Sequence, residues 1–490
     1  MGSFETTLVE WLDAINEPLG LVLVAALAIC GVWFTVRTRG VQFRMIGEAF
    51  RLLFDGKGRG GQKKGDAPAD AAAASSAGSS AGHKRRISSF QAFNISLASR
   101  IGTGNLAGVA TAIALGGPGA IFWMWVMALI GSVNAFVEST LAQLFKTRGK
   151  DSFVGGPAYY IHKGLRSKLF ACIFAVAIIL DFGLTNNLVQ SNTITLAFES
   201  AFGIGGLWLP VLLTLLTLAV IFGGVQRIAQ FSSIVVPFMA LLYLGVTVLV
   251  LVLRYDRIPD VFLLIVRNAF GADQALGGTV GTAILYGFKR GLFSNEAGEG
   301  SAPNAAATAD VSHPVKQGLI QALGVFTDTL LICSCTAFII LCSGLFDSGA
   351  NGIELTQLAL NNEIGSIGST LIAVLIFFFA FSSIVGNYYY GECNLYFLTR
   401  NPRAMTAFRL LSGGVLVFIG AISTLDLAWG LVDFFMAVMC ICNLTALVLL
   451  GKYAIRCLDD YRAQRKAGRD PVYRSSTIPE IADRTECWDD

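Results

Sequence analysis

The sequence predicts an all-α polytopic membrane protein. Of its 490 residues, 54% are hydrophobic and only 14% are charged, whereas soluble domains carry roughly a quarter charged residues. Long apolar runs recur along the chain, and a helix needs about 20 apolar residues to span a bilayer. Two of these runs are interrupted by glycine-rich polar segments, at residues 101–105 and 291–300. These observations indicate a bundle of membrane helices, two of which are discontinuous.

The length criterion predicts eleven transmembrane helices. They cover residues 18–36, 90–115, 120–145, 169–198, 207–222, 231–253, 277–309, 318–343, 366–397, 406–424 and 428–450. With the first helix set aside, the interrupted helices are the first and the sixth of ten, and they cross the membrane in opposite directions. This polarity predicts a 5+5 inverted repeat, with the interruptions at the binding site.

The predicted helices also divide the chain into five regions. Residues 1–36 hold the extra N-terminal helix, and residues 37–89 form a cytoplasmic loop whose Gly/Ala/Ser-rich part, 55–83, is typical of a flexible linker. The first repeat is expected at 90–253, the second at 254–451 and a cytoplasmic tail at 452–490, ordered only near the membrane.

Lys and Arg counts orient the helices, because cytoplasmic loops carry an excess of both. Basic residues crowd 37–86, 146–168 and 452–490, whereas 1–17, 199–206, 345–365 and 425–427 hold none. The N-terminus is therefore expected outside and the C-terminus in the cytoplasm, in a cell (inner) membrane. The loop at 254–274, with three Arg, disagrees, although three Asp partly balance it.

Several function classes find no support in the sequence. The net charge of +3 gives no reason to expect a nucleic-acid partner. The ten Cys lack the spacing of a zinc site or a disulfide framework, and no P-loop for ATP is present. No catalytic cluster is found, so we expect neither an enzyme nor an organic cofactor; the expected partners are a lipid bilayer and a small solute.

The first interruption has the chemistry of a binding site. Gly102 and Gly104 let the backbone leave the helix and let a ligand approach it, while Thr103 and Asn105 add a hydroxyl and an amide. Freed N–H groups at a helix start suit a carboxylate, and freed carbonyl groups at a helix end suit Na⁺. Close helix packing through small residues is the alternative.

The second interruption would face the first. Ser294 and Asn295 offer donors and acceptors, and Phe293 offers a wall or a lid. Glu296 follows at membrane depth, where acidic residues are functional by default. The alternative for Glu296 is a structural ion pair with Lys289 or Arg290.

Two further helices contribute candidates. Gln190 belongs to a run, residues 180–192, that is too polar to face lipid, although contacts between helices would also explain it. Ser382 and Ser383 could complete an oxygen cage for Na⁺ against carbonyl groups of the first interruption, unless they bond to their own helical turn. The partner of Arg100 is open among Glu138, Asp181 and Glu296.

Four blocks resemble the alanine or glycine:cation symporter family, the bacterial sodium:alanine symporters. They are IGTGNLAGVATAIALGGPGAIFWMW at residues 101–125, VGGPAYYI at 154–161, GLFSNEAGEGSAPNAAATA at 291–309 and FSSIVGNYYYGE at 381–392. The resemblance extends from about residue 90 to residue 450. It implies the leucine-transporter fold and uptake of small neutral amino acids driven by Na⁺ as coupling ion.

The resemblance also implies roles for individual residues. Na⁺ would bind the carbonyl oxygens of Ala98 and Ile101 and the hydroxyl groups of Ser382 and Ser383. The residues implied to bind substrate are Thr103, Gly104, Asn105, Phe293, Ser294, Asn295 and Gln190. Asn387 departs from the family, which often has Trp there, and Arg100 replaces a residue that is often small. A smaller Asn387 enlarges the pocket and makes glutamine a candidate substrate.

The sequence thus favours a secondary active transporter that carries alanine, glycine or glutamine into the cell with Na⁺ by alternating access. Coupling to H⁺ through Asp181 or Glu296 is the alternative within transport. A channel or a membrane solute sensor is the alternative from another class.

Overall fold

The computed structural model describes residues 3–55, 86–150, 152–203, 205–271, 279–423 and 426–488. Within these ranges the chain is almost entirely helical, and its two short strands, Thr147–Arg148 (β1) and Phe153–Val154 (β2), form an antiparallel hairpin. Eight of the described helices are long and apolar enough to cross a membrane. The expected linker at 55–83 lies outside the described residues except for its first residue.

Before residue 254, the described part of the chain forms eleven α-helices. They are α1 Ser3–Arg37, α2 Val41–Arg44, α3 Ile46–Asp55, α4 Ser89–Arg100, α5 Val109–Gly116, α6 Ala120–Leu144, α7 Pro157–Leu165, α8 Lys168–Leu180, α9 Asn186–Phe202, α10 Trp208–Ile221 and α11 Gly224–Leu253. Single π-helical segments, Gly104–Gly108 and Asp181–Thr185, lead into α5 and α9. Such widened turns are frequent at functional sites.

Ten further α-helices lie in the described part of the remaining chain. They are α12 Ile258–Ala269, α13 Val280–Asn295, α14 Ala302–Ala306, α15 Pro314–Val325, α16 Ser334–Ser343, α17 Gly352–Ile364, α18 Ile367–Leu398, α19 Pro402–Leu410, α20 Val417–Ile422 and α21 Asp426–Lys466. Two π-helical segments, Phe326–Cys333 and Leu411–Leu416, join α15 to α16 and α19 to α20.

Burial in this protein is inverted relative to a soluble domain. Leu241 and Val252 on α11 are 69% and 65% exposed, whereas Asn105, Glu138 and Asp328 are completely buried. Apolar side chains outside and polar groups inside are what a bilayer solvent requires, because lipid cannot hydrogen-bond to polar groups. The polar interior is therefore where a transported solute would find binding partners.

Two predicted outer loops contain helices. The segment at 254–274 includes α12, which buries Val261 and Ile265, and the segment at 345–365 includes α17, which buries Leu355 and Leu360. Both helices are too short to span a bilayer, so a search for membrane spans passes over them.

The expectation that the tail is ordered only near the membrane is wrong for the described residues. Helix α21 continues to Lys466, and the chain then folds back over the end of the bundle that carries the β-hairpin. Ile478 and Ile481 are fully buried there, and the Trp488 indole donates to the Gln143 carbonyl oxygen at 3.1 Å. Burial of these scattered apolar residues stabilises the fold of a segment whose sequence is otherwise polar.

Candidate substrate and ion site

Both interruptions are breaks in buried helices. Helix α4 ends at Arg100, and Ile101 leaves helical geometry with ψ near 86°. Helical structure resumes at Gly104, in the π-helical segment that leads into α5. Helix α13 ends at Asn295, and the turn that follows has positive φ at Glu296, Gly298 and Gly300. The structure therefore frees backbone groups from helical bonding at both places.

Carbonyl oxygens of the first break gather around Ser383. Its Oγ lies 3.0 Å from the Ala98 oxygen, 2.9 Å from that of Ser99 and 3.4 Å from that of Ile101. A hydroxyl group has a single hydrogen, so it satisfies only one of these acceptors. Ser382 Oγ lies 3.3 Å from the Ala98 oxygen. This set of carbonyl and hydroxyl oxygens fits a small hard cation such as Na⁺.

Glycines bring three elements together at this point. A Cβ on Gly102 would lie 2.2 Å from Ser383 Oγ and 2.9 Å from Gln190 Oε1, and one on Gly104 would lie 3.1 Å from both Phe293 Cδ1 and Ser294 Cα. The Thr103 N–H donates to Gln190 Oε1 at 3.1 Å. The structure thus joins α9, α18 and the second break to the first break.

Asn105 and Ser294, beside the two breaks, bind an acid that our sequence reasoning missed. Asp328, in a π-helical segment, accepts from Asn105 Nδ2 at 2.7 Å and from Ser294 Oγ at 2.8 Å. Asn295 Nδ2 donates to Thr329 at 3.0 Å. Their polar groups are thus engaged within the protein, which holds the two breaks in register. The available signal was an Asp inside an apolar run.

Asn387 belongs to a chain of hydrogen bonds beside the two breaks. Ser99 Oγ lies 2.7 Å from both Asn387 Oδ1 and Glu296 Oε1, and Asn186 Oδ1 accepts from Gln190 Nε2 at 3.1 Å and from Asn387 at 3.4 Å. The chain links Asn387 to both breaks and to Gln190.

Lys289, Arg290 and Arg100 do not form the ion pairs that the sequence analysis considered for them. Lys289 and Arg290 pair with Asp433, at 2.7 and 3.6 Å, rather than with Glu296. Arg100 donates to the Gln321 carbonyl oxygen at 3.3 Å.

Arg100 reaches that position because α15 is bare at Gly324, where a Cβ would lie 2.4 Å from Arg100 Nη1. No carboxylate of a described residue lies within 4.0 Å of its guanidinium. Glu138 and Glu296 still interact with it electrostatically, so one buried cation faces several buried acids.

A cavity of about 650 Å³ opens at the end of the bundle opposite the β-hairpin, and the proposed site residues do not line it. Arg290 and Trp429 line it, and the Trp429 ring lies 5.2 Å from that of Phe293, centroid to centroid. Phe293 is 9% exposed. This aromatic pair separates the cavity from the first break.

The chain is similar in sequence to named bacterial transport proteins. The chain is 48% identical over 468 residues to the probable sodium/glutamine symporter GlnT of Bacillus subtilis, covering 95% of this chain and 93% of that one. It is 41% identical over 407 residues to a sodium/proton-dependent alanine carrier protein of Bacillus sp. (strain PS3), covering 80% and 91%.

The fold is also similar to a solved structure. The crystal structure of MhsT in complex with L-phenylalanine aligns with a TM-score of 0.54 at 14% identity, over 82% of this chain and 93% of MhsT. This likeness agrees with the leucine-transporter fold implied by the sequence motifs. The sequence profile of the sodium:alanine symporter family matches residues 5–475, and the chain belongs to that family.

Proposed function

We propose that this protein carries small neutral amino acids into the cell together with Na⁺ by alternating access. The observation that carries the proposal is the group of carbonyl oxygens around Ser383, which outnumber the hydrogens available to them. A coupling cation satisfies the excess acceptors. It also ties α18 to the first break, so its binding favours one arrangement of these elements over another.

The ion ligands in this proposal are the carbonyl oxygens of Ala98 and Ile101 and the hydroxyl groups of Ser382 and Ser383. The ion site and the proposed substrate site share one backbone segment, because Ile101 and Thr103 are two residues apart. Ordering of that segment by Na⁺ therefore lowers the entropic cost of binding the amino acid, and the reverse holds by linkage.

The substrate is proposed to lie between the two breaks. Its carboxylate meets N–H groups at the start of the helical segment Gly104–Gly116, and its side chain points toward Phe293 and the layer of Asn387. Thr103, Asn105, Gln190, Ser294 and Asn295 complete the wall, with Asp328 holding two of them in place.

Glutamine is included among the substrates with alanine and glycine. Asn387 is small and polar. Asn387 and Gln190 both donate to Asn186, and these amides offer partners for a carboxamide. A relative named as a probable sodium/glutamine symporter, at 48% identity, supports the same assignment.

Coupling to H⁺ is the second candidate. Glu296 and Asp181 are 2% and 0% exposed, and among the described residues neither has a basic group within 4.0 Å. A relative is named a sodium/proton-dependent alanine carrier protein. A channel would pass solute without saturation, and a sensor would bind solute without accumulating it.

The deciding experiment uses purified protein in proteoliposomes. We expect labelled alanine, glycine and glutamine to accumulate when a Na⁺ gradient is imposed at equal pH on both sides. Accumulation driven only by a pH gradient would favour H⁺ coupling. Binding without accumulation under either gradient would favour a sensor.

A glycine pair tests the substrate position. In Gly104→Ala the new methyl group presses on Phe293 and Ser294 at 3.1 Å, so we expect loss of alanine binding. Gly108→Ala, one helical turn away, is the matched control because its Cβ meets no atom closer than 3.9 Å. Full alanine affinity in a folded Gly104→Ala protein would contradict the position.

The architecture proposed with this function has eleven transmembrane helices. The extra helix lies within residues 1–36, and the inverted repeats occupy 90–253 and 254–451. The N-terminus is outside and the C-terminus is cytoplasmic, which puts the cavity beside Trp429 outside and the β-hairpin inside. Labelling of single introduced cysteines by an impermeant reagent tests the orientation.

A further inference from the structure

Two cavities meet at α8, away from the proposed transport site. One is a recess of about 450 Å³ at the end of the bundle with the β-hairpin. The other is a groove of about 430 Å³ between α8 and α21, lined by Ile173, Val176, Leu180 and Phe434 among other apolar residues. Cys172 lines both cavities, so the recess and the groove adjoin.

The recess is basic. His162, Lys163, Lys168 and Arg400 line it, together with one acid, Glu486 of the tail. Lys163 Nζ lies 2.9 Å from Glu486 Oε1, and the Thr147 hydroxyl donates to Glu486 Oε2 at 2.7 Å.

The Glu486 carboxylate neutralises only one of these cations. Burial raises the pKa of Glu486, but the bonds from Thr147 and Lys163 outweigh that effect and lower the pKa, so the group is ionised at neutral pH. Among the described residues, Lys168 and Arg400 have no carboxylate within 4.0 Å. Arg400 interacts with Glu486 electrostatically at longer range. Since Lys163, Lys168 and Arg400 share this single carboxylate, the recess carries a net positive charge, which suits an anion.

The groove faces lipid and contains almost no polar group. Ile173 and Val176 on its α8 side are each 45% exposed, and Leu169 below them is 76% exposed. The eight residue steps from Cys172 to Leu180 rise about 12 Å along the helix. One leaflet contributes about 15 Å of hydrocarbon, so the groove runs from the recess almost to the middle of the bilayer.

We propose that an anionic phospholipid of the cytoplasmic leaflet binds here, with its phosphate between Lys168 and Arg400 and one acyl chain in the groove. Basic pockets between membrane helices on the cytoplasmic side recognise anionic headgroups. The site is separate from the ion and substrate residues, so it does not depend on the coupling ion. It does rest on the orientation proposed above. Glu486 brings the tail into contact with the headgroup.

Native mass spectrometry of the purified full-length protein tests the headgroup contacts. We expect one phosphatidylglycerol to bind more tightly than phosphatidylcholine of the same chain length. Removal of two surface cations in Lys168→Gln/Arg400→Gln should weaken phosphatidylglycerol binding about thirtyfold. Lys452→Gln removes an exposed cation from α21 outside the recess and should bind like the wild type. Equal binding of the two lipids, or an unaffected double variant, would overturn the proposal.

A second pair of variants tests the acyl chain. Val176→Trp fills the groove from its lipid-exposed side and should weaken phosphatidylglycerol binding about tenfold by removing several buried methylene contacts. Val248→Trp, at a position on α11 that is 50% exposed, is the control and should change nothing. Competition by inorganic phosphate separates a lipid from a free anion. Displacement of the lipid by an equal concentration of phosphate would show that the recess serves a free anion and would overturn the lipid assignment.

Discussion

The first and second breaks lie against each other, but their backbone groups are hydrogen-bonded differently. In the second break, the Gly298 N–H donates to Glu138 at 3.3 Å, and the Gly298 oxygen accepts from Asn443 at 3.0 Å. Asn443 also donates to Glu138, at 2.7 Å. In the first break, several carbonyl oxygens share the single hydrogen of Ser383.

This difference separates a structural break from one that is ready for a ligand. Buried polar groups without partners are costly, so a break at membrane depth persists only where something satisfies it. In the second break, protein side chains satisfy both backbone groups of Gly298. The first break has more carbonyl oxygens than hydrogen-bond donors, and a bound cation would interact favourably with the unpaired oxygens.

The largest expected effect on uptake comes from a substitution that fills the proposed ion site in the first break. The methyl group of Gly102→Ala would lie 2.2 Å from Ser383 Oγ and 2.9 Å from Gln190 Oε1, so at least one of them must shift. We expect Na⁺-dependent uptake to fall at least about a hundredfold, the equivalent of roughly 2.8 kcal/mol. Tracer uptake against external Na⁺ measures this. Uptake at the wild-type level would mean that these oxygens are not the ion site.

Ser383→Ala removes one oxygen and leaves the backbone in place. A bond to a charged group contributes about 1.5–3 kcal/mol, so the Na⁺ concentration for half-maximal uptake should rise between about tenfold and a hundredfold. Ser382→Ala should have a smaller effect, because Ser382 Oγ is nearer to its own turn, 2.9 Å from the Phe379 oxygen, than to Ala98 at 3.3 Å. The reverse ranking would assign the ion to Ser382.

Asn443→Ala should affect the second break and spare the ion. It leaves Glu138 and the Gly298 oxygen short of a donor, which costs about 1–3 kcal/mol in unfolding free energy. Denaturation in detergent micelles measures that loss, and the Na⁺ half-saturation should stay at the wild-type value. Thr445→Ala, two residues along on the exposed side of α21, is the control. A changed Na⁺ dependence in Asn443→Ala would show that the second break also takes part in ion binding.

The smallest expected effect concerns substrate size. Asn387→Trp adds bulk beside Ser99, so competition of glutamine against labelled alanine should weaken about tenfold, an unfavourable contact of about 1.4 kcal/mol. Asn387→Ser, which leaves more room, should keep glutamine as a competitor. If glutamine does not compete with the native protein, or competes equally in Asn387→Trp, then Asn387 does not set the pocket size.

The sequence predicted both helix breaks but not how they are satisfied. It was wrong about the start of the second, which was predicted at Gly291, because α13 continues to Asn295. Glycines and polar residues inside apolar runs marked both interruptions, because local composition decides whether a helix continues in lipid. The engagement of Asn105 and Ser294 with Asp328 was not predicted. These residues are far apart in the sequence, and the pairing depends on how the π-helical segment Phe326–Cys333 packs against both breaks.

Composition and periodicity by themselves determined the class of protein, the presence of two helix breaks and the residue types available there. These properties depend on the free energy of transferring short segments from water to lipid, and that free energy depends on the composition of each segment alone. Only the tertiary structure decided that Lys289 and Arg290 pair with Asp433. The same is true of the contact between Trp488 of the tail and Gln143, and of the carbonyl oxygens that converge on Ser383. Each of these is a contact between distant parts of the chain, and its energy exists only after the helices have packed together.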